Sequence, residues 1–356
     1  MAKHQAAERH PARDRAAIRT VALAMIGLTV FVVAMVASYS GAFAKPTLHH
    51  MAVAVAGPQQ LVDGIRSQDA LVVTEVGDDA AARAQVYERK TVAAFVVAPS
   101  GQMKIYVAGG GGRSVANAAE TVGRTVAAKA GLTLTVEDVA PASAGDPSGT
   151  VEFYAIIFIS IGASVGAAVL GRVMGTARTP VTLALRTVTL ADYSALLAGG
   201  VTLYVDVILG ALTGHTWAVF GALWLYAMAV GGAVTGVAAA FGSVASMVLT
   251  AFLVVVGNAA AAGPVGRPLL SGFYSTFTTI VPQGSGVSLL RSVEYFGGNG
   301  AWAPMATLAI WGAAGCVLAI IATASRVNYR AVYERCLNLA RRERAVLRPR
   351  VLSPAD

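Results

Sequence analysis

Charge is scarce in this sequence. Only 13% of its 356 residues are Asp, Glu, Lys or Arg, while 56% are hydrophobic. An ordinary soluble domain carries roughly one quarter charged residues to cover its surface, so a chain that is soluble throughout is excluded. Cysteine is nearly absent as well. Cys316 lies in an apolar block and Cys336 in a basic tail, which excludes a disulfide framework and any Cys/His metal spacing. There is no G-x-x-x-x-G-K-[ST] stretch, so the chain does not bring its own phosphate loop. No Ser/His/Asp set or carboxylate pair stands out in the apolar blocks, and the expectation is a protein that is not an enzyme, with no cofactor and no metal.

What the sequence has in abundance is uninterrupted apolar length. Crossing about 30 Å of hydrocarbon takes roughly 20 apolar residues at about 1.5 Å each. Blocks of that kind run over Val21–Ser40, Phe153–Leu170, Tyr193–Leu212 and Met305–Ser325. A longer stretch divides at Phe241-Gly242-Ser243 into Trp217–Ala240 and Val244–Ala262. The expected fold class is therefore a polytopic α-helical membrane protein with about six transmembrane helices. One extracytoplasmic α/β domain is expected between the first and second. The divisions are a basic segment over 1–20, a first span over 21–40, the α/β domain over 45–150, a five-helix region over 153–325 and a basic tail over 326–356.

Basic residues set the orientation. The first 20 residues carry Lys3, Arg9, Arg13, Arg15 and Arg19; the segment after the second span carries Arg172, Arg178 and Arg186; eight arginines follow Ser325. Short loops rich in Lys and Arg stay cytoplasmic. With six spans all three segments share one side, which places both termini in the cytoplasm of a bacterial cell and the chain in its inner membrane. The basic tail reads as a topology determinant that touches membrane lipids, with no nucleic-acid partner. Ala42-Phe43-Ala44 resembles a signal-peptidase site, but the preceding apolar run is long enough to span, which favours a retained anchor.

Lys45–Thr150 has ordinary soluble composition, with nine basic and ten acidic residues. Alternation predicts strands over Met51–Ala56, Ala70–Val76, Val92–Ala98, Met103–Ala108 and Leu132–Val136. Helical runs fall over Pro58–Arg66, Asp78–Lys90 and Ser114–Ala130. The Gly109–Gly112 run reads as a loop into a helix, and His49-His50 as juxtamembrane residues.

Ionisable groups at membrane depth mark pathways or partners. Asp206 is expected about two turns inside a span, with His215 and Asn258 as further intramembrane polar groups. Gly162/Gly166, Gly171/Gly175 and Gly232/Gly236 permit close helix contact. Gly263–Gly300, broken by Pro264, Pro268 and Pro282 and carrying Gly284, is too interrupted for a span and too apolar for a free loop. It reads as broken half-helices dipping into the membrane from the outer side, with Arg291 and Glu294 spaced to pair on one helical face.

The order of parts resembles the ABC-2 type permeases, and within them the phage-infection-protein-like (Pip-like) branch. The residues that carry the resemblance are Val136-Glu137-Asp138-Val139-Ala140-Pro141, Asp146-Pro147-Ser148-Gly149, Gly257-Asn258-Ala259, Gly263-Pro264, Pro268-Leu269-Leu270, Val281-Pro282-Gln283-Gly284 and Arg291-Ser292-Val293-Glu294-Tyr295-Phe296. The resemblance implies a homodimeric export permease driven by a separate ATPase, which docks on the Arg172–Arg186 loop. It also implies that Gly263–Gly300 gates the exit and that the external domain meets cargo or an envelope protein. Two alternatives stand beside it. One is a scaffold or receptor acting through its external domain; the other is an ion-coupled transporter using Asp206.

Overall fold

The computed structural model describes residues 11–326, with side chains from residue 17. The basic residues before Pro11 and after Arg326 lie outside the described residues, while Arg13 and Arg15 fall in the first turns of the first helix. Helix α1 covers Pro11–Phe43 and leads into an α/β unit: β1 Met51–Ala56, α2 Gln59–Arg66, β2 Leu71–Glu75, α3 Asp79–Tyr87, β3 Ala93–Val97, β4 Gln102–Val107, α4 Arg113–Ala130 and β5 Thr133–Asp138. Helices α5 Val151–Met174, α6 Pro180–Leu203, α7 Thr216–Phe241, α8 Ser243–Phe252, α9 Gly272–Thr278, α10 Pro282–Tyr295 and α11 Trp302–Ala324 follow.

The five strands form one sheet in the order β2-β1-β3-β4-β5. Every neighbouring pair is parallel except β3 and β4, which form an antiparallel hairpin. Its turn passes through Gly101, whose φ of +79° a side chain rarely adopts. Because successive side chains point to opposite faces, β1 splits its residues between two cores. Met51, Val53 and Val55 pack with Val62 and Ile65 of α2 and Val115, Ala116 and Ala119 of α4. Ala54, Ala94 and Tyr106 pack with Ala82 and Val86 of α3. Asp78 starts α3 by accepting from the Ala81 amide at 2.7 Å.

At the β4–β5 edge, Glu137 accepts from Lys104 at 2.7 Å and from Arg83 at 3.1 Å. These hydrogen bonds, that of Lys104 first, hold the Glu137 carboxyl below the usual carboxylate range. A depressed carboxylate stabilises the fold above its unfolded value, and the contribution is lost as pH falls through the folded one. Glu137→Gln is therefore expected to speed exchange of the β5 amides modestly at neutral pH. Below the carboxylate range, variant and wild type should coincide. The groups are exposed, so the effect stays small; an equal difference at both pH values would refute the pairing.

Among the described residues, five helices are long and apolar enough to cross a membrane: Ala17–Phe43, Val151–Met174, Pro180–Ile208, Thr216–Phe241 and Trp302–Ala324. At the sixth expected span, Val244–Ala262, the helical part is shorter than expected, although the stretch still leads from the end of α7 to the domain junction, where the Gly263 carbonyl accepts from Arg291. The helix there is the shorter stretch Ser243–Gly257, whose last five residues widen into a π turn; at 1.5 Å per residue it covers only about 22 Å. The chain then leaves the helix through Ala262, whose φ is +58°. Helix α6 also starts 13 positions before the expected Tyr193, because Thr179 and Thr182 cap each other reciprocally and Pro180 occupies the first turn.

Helix α7 is the hub of the bundle, packing against α5, α6, α10 and α11. Small residues let these helices approach within the chain. A Cβ on Gly166 would meet the Tyr193 ring at 2.2 Å, and one on Gly236 the Gly315 carbonyl at 2.2 Å. Helix α1 stands apart, its apolar residues from Val21 to Val36 largely exposed. It touches the rest only near its end, where Ser38 bonds the Tyr274 hydroxyl at 3.0 Å.

Candidate functional site

The sheet domain and the helical bundle meet around α10. This 14-residue helix opens with Pro282 in its first turn and has eleven of its residues buried. The flanking segment grips both faces of the domain. Leu269 belongs to the core beneath α2 and α4, and Phe296 to the core beneath α3.

Arg291 is the centre of the junction. It is 4% exposed and donates to three carbonyls: Gly111 of the domain at 3.2 Å, Gly149 before α5 at 3.2 Å, and Gly263 after α8 at 3.0 Å. One planar guanidinium thus ties together three stretches remote in sequence, which the single-point ammonium of lysine cannot do. Arg89 adds a second tie from the domain. It donates to the Ser288 carbonyl at 2.8 Å and to the Ser292 hydroxyl, and lies over the Phe296 ring at 4.9 Å.

The glycine run before α4 is the seat for this helix. A Cβ on Gly110 would sit 2.4 Å from the Tyr295 ring, and Gly112 takes a φ of +138° beside Arg291. Asp138 holds the run in shape by accepting from the Gly109 amide at 3.0 Å. Gly284 is required on the bundle side, because a Cβ there would meet the Thr278 carbonyl at 2.0 Å. Behind the junction, Gln283 donates to Ser160 and to the Leu253 carbonyl, both at 3.0 Å.

Arg291 and Glu294 do not pair, contrary to their spacing. Arg291 is committed to carbonyls, and Glu294 turns to accept from the Gly214 amide at 2.8 Å. Arg291 satisfies carbonyls that the junction would otherwise bury unpaired, whereas Glu294 ties the exposed Gly214 turn to α10. Pro268 accepts from the His49 amide at 2.7 Å, and Pro264 lies in the crossing between α8 and α9.

Two other expectations are corrected. Asp206 is not two turns inside a span but in the π turn that ends α6, where it accepts from the Thr216 hydroxyl. Since α6 begins at Pro180, Asp192 lies nearer its middle, and it is exposed. His215 is exposed just before α7 and makes no side-chain cap. The expected loop Arg172–Arg186 is mostly helix: α5 runs to Met174 and α6 starts at Pro180. Arg172 and Arg178 are exposed, whereas Arg186 is 8% exposed and donates to the Gly175 carbonyl at 2.8 Å, closing the end of α5. Asn258 is buried beneath the α8 end, facing the Tyr39 hydroxyl, with its side-chain oxygen unpartnered.

Glu152 is the fully buried carboxylate beside the junction. It begins α5, where an interfacial carboxylate is the natural reading, yet it is 0% exposed. Its oxygens face the Tyr295 hydroxyl without meeting hydrogen-bond geometry, and Arg291 acts on it electrostatically. The nearby Asp146 accepts from the Val151 amide at 2.6 Å and caps α5 in its place. No group of three or more His, Cys, Asp or Glu is placed to hold a metal ion among the described residues. Comparison with family models, with curated proteins and with solved structures finds no match for the chain.

Proposed function

We propose that this chain is the membrane subunit of an export permease of the ABC-2 type, working as a homodimer with a separate ATPase. It would move a lipid, glycan or small-molecule cargo out of the cytoplasm or inner membrane of a bacterium. The observation that carries this reading is the broken segment around α10, which links the sheet domain to the bundle through buried polar contacts. Such a segment couples motion of the spans to the domain that meets the outgoing cargo or an envelope protein. The ends of α5 support the same orientation. Val151 lies beside the domain, while Arg172 belongs to the last turn at the opposite end, about 30 Å away along the helix. Short loops bearing Arg172 and Arg178 favour the cytoplasm, which leaves the domain outside and both termini inside.

The test is gentle purification of the full chain followed by mass spectrometry of what accompanies it. A twofold complex with a bound ATPase is expected, lost in Arg178→Glu. Arg186 is left unchanged, because its burial makes it part of the fold. A complex with envelope proteins and no ATPase would replace this reading with that of a scaffold.

A further inference from the structure

Between the domain and α10 lies a cavity of about 440 Å³ whose charge is one-sided. Arg89 enters it from the domain, Arg267 from the crossing after α8 and Arg291 from α10, and no Asp or Glu is among its lining residues. Among the described residues, none of the three arginines has an ion-pair partner. Their hydrogen bonds go to carbonyls and serine hydroxyls. Because a guanidinium carries five N–H donors, each keeps some unspent, and Arg267 spends only its Nε. The carboxylate acting on Arg291 is Glu152, on α5 and outside the cavity lining.

Gathering like charges in a partly enclosed space is costly unless an opposite charge is added. The cost is visible at Arg89, whose guanidinium is pushed down to about 10 by burial and by Arg291, and so remains protonated at neutral pH. The first turn of α10 opens on the same space through Gly284 and Ser285, adding the positive end of a helix dipole. The remaining wall is largely apolar, with Val86, Val115, Val287 and Phe296. Pro304 and Thr307, from the first turns of the α11 span, line it too. The cavity therefore sits where a span begins, at the depth of a headgroup.

We propose that this cavity binds the oxyanion of an amphiphile, a phosphate or carboxylate held by Arg89, Arg267 and Arg291, with adjoining apolar carbon against Val86, Val287 and Phe296. The site stands independently of whether the chain exports anything. The same guanidinium chemistry would accept a free phosphate, so the experiment separates the two sources.

Delipidated full-length protein in detergent is titrated with dioleoylphosphatidylglycerol, with dioleoylphosphatidylcholine as the uncharged comparator, and bound lipid is counted by native mass spectrometry. Inorganic phosphate is titrated separately by calorimetry. Saturable phosphatidylglycerol binding is expected, weakened about tenfold by Arg89→Gln or Arg267→Gln and unaffected by Lys45→Gln, an exposed charge outside the cavity. Arg267 is exposed and its side-chain hydrogen bond goes to the Ser275 carbonyl on its own side of the junction, so its variant reads the site even if Arg89→Gln loosens the domain. Saturable phosphate binding that Arg267→Gln abolishes, without lipid binding, supports the oxyanion site and makes the free ion its occupant. Equal lipid binding by wild type and both arginine variants, an equal loss in Lys45→Gln, or no saturation by either ligand overturns the proposal.

Discussion

Arg291→Gln is expected to detach the sheet domain from the bundle without unfolding either. The substitution leaves the carbonyls of Gly111, Gly149 and Gly263 without their shared donor in a buried place. Each orphaned group costs about 1–3 kcal/mol, so roughly 3 kcal/mol is a conservative sum. On a scale of 1.4 kcal/mol per tenfold, that raises the opened population about a hundredfold. Hydrogen exchange on the full chain should show it at the amides of Gly109–Arg113 and Gly149–Val151. The amides of β1 and β3, whose ladder does not involve Arg291, should keep their protection. Arg291→Lys should behave almost as badly, because an ammonium cannot fork across three acceptors. Wild-type exchange at both glycine stretches would show that Leu269 and Phe296 hold the domain unaided.

The second large effect is inside the bundle. Gly236 and Gly315 lie where α7 and α11 touch backbone to backbone: an added Cβ would be 2.2 Å from the Gly315 carbonyl in one case and 2.3 Å from the Gly232 carbonyl in the other. No flexible side chain can retreat there, so the helices must separate. Overpacking of this kind costs about 1–3 kcal/mol. Gly236→Ala and Gly315→Ala are therefore expected to lower the thermal midpoint in detergent by several degrees. Gly232→Ala is the internal contrast. Its Cβ would find its nearest neighbour at 3.8 Å, an ordinary contact, and it should stay within about 0.5 kcal/mol of wild type. Indistinguishable midpoints for Gly232→Ala and Gly236→Ala would rule out the close crossing.

These two sites differ in how readable they were. The Gly232/Gly236 spacing announced close packing, although not that α11 is the partner. The strands were readable because Met51–Ala56 alternates larger and smaller apolar residues, which a strand lying between two cores sends to opposite faces. The long spans were readable from unbroken apolar length. The start of α6 is not legible as apolar length, because its first turns carry Arg186 and threonines; its only local signal is the Thr179-Pro180 cap. The length of the sixth helix was missed because Val244–Ala262 is apolar throughout, and composition does not reveal a chain leaving its helix at Ala262.

The junction was half legible. Gly263–Gly300 drew attention as too broken for a span, and Arg291 and Glu294 as charges out of place. Their partners were invisible, because a backbone carbonyl has no signature in the sequence: Arg291 bonds Gly111, 180 positions earlier. For the same reason the Gly109–Gly112 run looked like a loop into a helix. Its actual demand, room for the Tyr295 ring, comes from a residue that nothing local implies.

The way Leu269 and Phe296 complete the two cores of the sheet domain sets an order of events during synthesis. The chain emerges from its N-terminus, so β5 is made before α5 to α8, and Leu269 and Phe296 follow all of them. Until then the glycine seat and the gaps left for those two side chains face solvent. The domain must wait, on its own side of the membrane, for the later spans to insert before its packing can close. Insertion of the bundle is thus the last step in folding a domain whose strands were finished long before.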